Sequence, residues 1–328
     1  ECSDLQRLEE FKKTSKSDVY EENFLEALTR CDKLVGKIMK DFSFEEDRVI
    51  VLSPTSPSGL TQTTLFVAAG KGIPRGFASS ASTRHIGSVT LVDLAPSILD
   101  SYAISIPKEM GETLFDWQAS SKSDELRKDK LVKMNQGALA REDAIGPITT
   151  VLVLLAVLGI LLSMIALSKG GKWEPLAKFA VFLTAFYPTA TYLLKPFYLS
   201  LQIPFGLISA VLAISAVGAG LSMLILKKFG IIYAVLAVAI YNLSVHVTDI
   251  LFGGNLQFNS AFGHSPIIAG RFSGFSNQAF AILSISMVLI VAMVYELCKT
   301  KPKKTRNQIN FALLAFTVLI LVIDGAPF

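Results

Sequence analysis

The chain has 328 residues, 51% of them hydrophobic and 18% charged, and its mean hydropathy is +0.49. That is too apolar for an ordinary water-soluble enzyme. A formal net charge of +4 does not imply a nucleic-acid partner, because the bases bunch beside apolar runs, where they orient a chain in a membrane.

Two halves are concealed by the average. Residues 1–143 carry most of the charge, whereas residues 145–328 are long apolar runs separated by short polar loops. Glu1 is not an initiator methionine and no apolar signal segment precedes the polar half, so the chain is expected to be a processed product or a fragment. Asp18 to Lys40 has a helical rhythm, with Phe24, Leu28, Cys31, Leu34, Val35 and Ile38 on one stripe. Arg48 to Ser53 reads as a buried strand, Pro54 to Gly59 as a loop and Thr63 to Ala69 as a second strand. Gly70 to Gly76 is rich in turn residues, Ser88 to Val92 is extended, and Asp93 can cap a helix running through Leu99. Strands alternating with helices predict an α/β layer.

The cysteines are Cys2, Cys31 and Cys298, and none has a zinc-ligand spacing. Cys2 and Cys31 form a disulfide if this half lies outside the cytoplasm, and are ordinary free thiols otherwise.

The stretches "DKLVGKIMKDFSFEEDRVIVLSPT", "TTLFVAAGKGI" and "GSVTLVDLAPSILDSYAISIPKEMGETLF" together resemble the carboxy-terminal half of the alkaline phosphatase superfamily. That likeness covers about residues 20–116. It implies a partial alkaline-phosphatase-like α/β domain over residues 1–116, followed by a polar helical linker over 117–144. Active members hold two metal ions with Asp and His ligands, and the metals polarise phosphoryl oxygens and activate a Thr or Ser nucleophile. Here Ser53-Pro54-Thr55-Ser56-Pro57 stands where the resemblance calls for an Asp-His pair. No metal site and no cofactor are therefore expected, with His85 either a surviving ligand or an exposed loop residue beside Arg84. If the protein is an enzyme, it is a phospho-group hydrolase or transferase whose nucleophile lies outside this chain. The chain is also similar to bacterial multi-pass membrane proteins of unassigned function, including the stretch "FGHSPIIAGRFSGFSNQAFA".

In the apolar half, a membrane-crossing helix needs about 20 apolar residues. Six segments meet or approach this, near 146–167, 176–198, 204–226, 230–251, 277–297 and 309–324. The runs lack the alternation of a barrel, so they are expected to be an all-α transmembrane bundle of about six helices. Pro188 should kink the second span, and the small residues Gly206, Ser209, Ser215, Gly218, Gly220 and Ser222 should let the third pack closely. If residues 1–144 are extracytoplasmic, the cytoplasmic loops hold Lys169, Lys172, Lys227, Lys228 and the run from Lys299 to Arg306, against Lys195 and Arg271 on the other side. The bases from Arg127 to Arg141 pull the other way. The count places residues 1–144 outside the plasma membrane.

Charged groups at membrane depth need a partner, a wet cavity or a function. His246 and Asp249 lie one turn apart on one face near the outer end of the fourth span. The next loop adds Asn255, Asn259, His264, Arg271, Asn277 and Gln278, and Asp324 ends the sixth span on the same side. Two readings stand: Arg271 pairs with Asp249 or Asp324 to tie helix ends, or Arg271, Asp249, His246, His264, Asn277 and Asp324 hold an anionic lipid or sugar-phosphate headgroup. The functional expectation is a cell-envelope protein handling phosphorylated lipid or polysaccharide precursors, its phosphatase-like part non-catalytic. The alternatives are a transporter or a non-catalytic membrane assembly protein.

Overall fold

The computed structural model describes the chain except residues 1–2, 13, 57–61, 112, 201–203, 269–271, 273 and 326–328; for 3, 6, 320, 321 and 323–325 it describes the backbone alone. Arg271 and Cys2 thus lie outside the described residues, as does the side chain of Asp324. Two compact units divide the chain, Glu1–Leu131 and Val132–Phe328.

The first unit begins with α1 (Ser3–Phe11) and α2 (Ser17–Ile38). Arg30 of α2 joins Asp4 and Glu26. Cys31 is disulfide-bonded, while Cys298 is free. The predicted stripe on α2 forms, but Leu28, Leu34, Val35 and Ile38 are exposed. Strands β1 (Arg48–Leu52) and β2 (Phe66–Gly70) pair antiparallel, with Val51 opposite Val67. Strands β3 (Gly76–Ser80) and β4 (Phe115–Ala119) form a second antiparallel pair. The Phe66 ring meets Phe115 at 5.0 Å and Trp117 at 6.3 Å.

These pairs correct the predicted fold class. The chain is 67% helical, and the described residues form two separate two-stranded sheets and no alkaline-phosphatase-like α/β layer. A parallel layer needs crossover connections through helices, whereas β1 folds back directly on β2. Ser88 to Val92 is not a strand either. Leu91–Asp93 is a 3₁₀ turn leading into α3 (Leu94–Ser101), with Thr90 and Asp93 forming a reciprocal capping box. Asp93 is fully buried. Burial raises its pKa, but hydrogen bonds from Ser82, Thr90, Ser80 and Thr113 outweigh that and hold the carboxyl below its ordinary range.

The helix α4 (Asp124–Lys169) runs without a break through residues 144 and 145, where the polar linker was predicted to give way to the first span. The second unit continues with α5 (Trp173–Leu193), α6 (Phe205–Phe229), α7 (Ile231–Leu251), α8 (Asn277–Cys298) and α9 (Lys303–Gly325). Its core joins Ile148 of α4, Tyr187 and Tyr192 of α5, Leu207 and Val211 of α6, Leu243 of α7 and Leu283 of α8. Gly218 of α6 is the close approach that its small residues predicted, since a Cβ there would meet the Phe186 ring at 2.6 Å.

Among the described residues four helices, α4, α6, α7 and α8, are long and apolar enough to cross a membrane, and they make this a membrane protein. The helices α5 and α9 occupy two of the six predicted spans but are not among the four. Glu174, Pro175 and Lys178, with Tyr187, Pro188, Thr189 and Tyr192, dilute the apolar character of α5.

Candidate functional site

The polar residues of the second unit gather where α5 and α7 end and α8 begins. Between α7 and α8, residues 256–265 fold into the bundle, as does Phe275. Within this loop Gln257, Ser260, Ala261, Phe262 and Phe275 are at most 5% exposed, so nearly every backbone group here needs an internal partner.

On α7, Ala234, Val238, Asn242 and His246 recur every fourth residue and are buried, so one helix face turns from small and apolar to polar as it nears the loop. His246 is fully buried. Its ring stands edge-on to Tyr192 at 4.8 Å, Nδ1 lies 3.1 Å from Gln257 Nε2, and Nε2 lies 3.4 Å from Thr189 Oγ1. Gln257 Oε1 accepts from Ser276 N–H at 3.4 Å, which leaves the amide –NH₂ toward the histidine. An amide nitrogen only donates, so Nδ1 accepts and the ring proton sits on Nε2. Thr189 accepts that proton's bond and donates its own to Asn242 Oδ1 at 2.7 Å, and Asn242 Nδ2 donates to Ala185 O at 3.3 Å. The chain of bonds runs in one direction, from Gln257 through His246 and Thr189 to Asn242.

Replacing Thr189 with Val keeps the shape and leaves the His246 N–H unanswered. It is expected to cost about 1–3 kcal/mol, read as reduced denaturant resistance of the detergent-solubilised protein.

Asp249 has partners in the loop backbone. Its Oδ1 accepts from Leu256 N–H at 2.7 Å and its Oδ2 from Gln257 N–H at 3.0 Å, so it caps the turn that leaves α7. His264 donates its backbone N–H to Gln257 O at 2.7 Å, and its Nε2 lies 3.1 Å from Gly274 O. Thus His246, Asp249 and His264 meet through one residue, Gln257. Asn277, the first residue of α8, is exposed and stands outside this network. The two predicted pairings of Arg271, with Asp249 and with Asp324, lie outside the described residues.

The groups that hold the loop were missed in the sequence. Arg141 of α4, 5% exposed, donates from Nε to Ser260 O at 2.7 Å and from Nη2 to Gly263 O at 3.0 Å, and pairs with Glu142. Glu142 in turn accepts from Ser265 Oγ at 2.9 Å. Tyr192 OH donates to Phe262 O at 2.7 Å and touches Ser276 Oγ at 2.9 Å, and Ser276 caps α8. Tyr198 OH accepts from Ala261 N–H at 2.9 Å. A basic run before a span and tyrosines inside an apolar run carry no signal that their targets are backbone groups more than 60 residues away.

Among the described residues no group of three or more His, Cys, Asp or Glu could hold a metal ion. His85 accordingly belongs to no such group. Comparison of the chain with protein-family models, with curated proteins and with solved structures finds no match.

Proposed function

We propose that this chain is a multi-pass plasma-membrane protein of the cell envelope that binds phosphorylated lipid or polysaccharide precursors by their anionic headgroup, at the loop end of its bundle, as a binding rather than a catalytic module. The observation that supports this is the investment in the 253–275 loop. Four buried side chains from three helices and their flanks, Arg141, Tyr192, Tyr198 and Asp249, fix its backbone, and His246 meets the side chain of Gln257. Such a base fixes the described part of the loop, and Arg271 belongs to the same loop in the sequence. An arginine fork suits a phosphate. The internal partners of His246, Asp249 and His264 give them supporting roles, so Arg271 is the headgroup contact. In this reading residues 1–144 are extracytoplasmic, as the lysine-rich turns at the other end of the bundle favour.

The test uses the full chain in mixed micelles with a polyisoprenyl phosphate as probe. Arg271→Ala should weaken binding at least about tenfold and Arg271→Lys by less, since lysine keeps the charge without the fork. Thermal stability should not move. If both variants lose stability and binding in parallel, Arg271 ties helix ends and the headgroup site is wrong.

A further inference from the structure

The opposite end of the bundle carries a second feature, one that the loop site does not use. Three turns lie there: residues 170–172 between α4 and α5, Gly230 between α6 and α7, and residues 299–302 between α8 and α9. Lys169 and Lys172 flank the first turn and Lys227 and Lys228 the second, all exposed. Around the third, Lys301, Lys303 and Lys304 are exposed as well. Carboxylates are few. Glu174 is taken by Lys178 and Glu296 by Lys299, so the other lysines have no carboxylate partner among the described residues.

We infer that this end is a docking surface for anionic phospholipid headgroups of the surrounding bilayer. The turns close the apolar windows of α4, α6, α7 and α8, which places their lysines at headgroup level, within a Debye length of lipid phosphates. Aromatic rings mark the same level. Lys172 Nζ lies 5.8 Å from the centre of the Trp173 ring and Lys228 Nζ 4.9 Å from that of Phe229, as in an interfacial belt. A merely solvated face would carry both signs interspersed. The groups are lysine point charges spread over three turns rather than a converging arginine fork. That suits many headgroups in a plane better than one dissolved phosphate.

Trp173 stands at this surface and reports on it. In full-length Trp117→Phe protein reconstituted in mixed bilayers, brominated phosphatidylglycerol should quench Trp173 with an apparent affinity at least about fivefold above brominated phosphatidylcholine. The preference should approach unity in 0.5 M salt and when Lys169, Lys172, Lys227 and Lys228 are changed together to Gln. Millimolar inorganic phosphate should not affect it. The unsubstituted protein, released from mixed nanodiscs into a mass spectrometer, should retain phosphatidylglycerol over phosphatidylcholine. Equal quenching by the two lipids, or a preference that survives the four substitutions, overturns the inference. Displacement by inorganic phosphate also overturns it, in favour of a soluble anion site.

Discussion

Arg141→Ala is expected to destabilise the helical unit by about 3–5 kcal/mol, the cost of removing one partner from a buried charge pair. The guanidinium spans three acceptors, Ser260 O, Gly263 O and Glu142. Alanine takes a donor from both carbonyls, Ser260 O keeping the Gly263 N–H at 3.1 Å, and leaves a carboxylate, 20% exposed at its side chain, with Ser265 as its remaining partner in that cluster. Arg141→Lys keeps the charge but lacks the rigid fork that reaches carbonyls on both sides, so it should recover less than half of the loss. Adding Glu142→Gln to Arg141→Ala should restore part of it, because the uncompensated charge is gone. Equilibrium unfolding in detergent gives the energies. Hydrogen exchange locates them: the amides of Ala261 and His264 should accelerate far more than those in the middle of α6. An Arg141→Ala protein of unchanged stability would mean that the loop is held by its tyrosines alone.

What the sequence carried was periodicity, and what it hid was pairing. The long apolar runs of α6, α7 and α8 are legible because a helix in lipid must satisfy its own backbone and needs about 20 apolar residues to do so. The two strands β1 and β2 are legible as runs of Val, Ile, Phe and Ala. Their partners are not: a strand former does not state what it pairs with, and β3, with its Gly, Ala and Ser residues, joins β4 across almost 40 residues without a local pattern. Composition also marks a change that conformation does not, because α4 passes from polar to apolar without a break. At the site, the helical spacing of His246 and Asp249 put them on one face correctly. Asp249 serves two backbone N–H groups, while its expected pairing with Arg271 lies outside the described residues. A loop's demand for backbone donors and acceptors depends on how it is buried, and no residue pattern records that.

The second large effect is expected at Gly263. A Cβ built there would press into the backbone carbonyl of Gln257 and the hydroxyl of Ser260. The Ser260 hydroxyl has no hydrogen-bond partner among the described residues and can rotate away, but the Gln257 carbonyl is backbone and cannot yield cheaply. The Gln257 carbonyl accepts from His264 N–H at 2.7 Å, Gln257 N–H is held by Asp249, and Ser260 O is fixed by Arg141. Gly263→Ala must therefore move the loop backbone, breaking the Gln257–His264 bond or the Arg141 clamp, at a cost of about 2–4 kcal/mol. Gly220 is the control, since nothing lies within 4 Å of a Cβ there and it sits inside α6. Gly220→Ala should be neutral or stabilising by up to about 1 kcal/mol through helix propensity alone. If Gly263→Ala distorts the loop as argued, its damage should not add to that of Arg141→Ala, because both act on the same backbone segment. Full additivity of the two in a double-mutant cycle would show that Gly263 and Arg141 support the loop independently, and the single-clamp picture would be wrong.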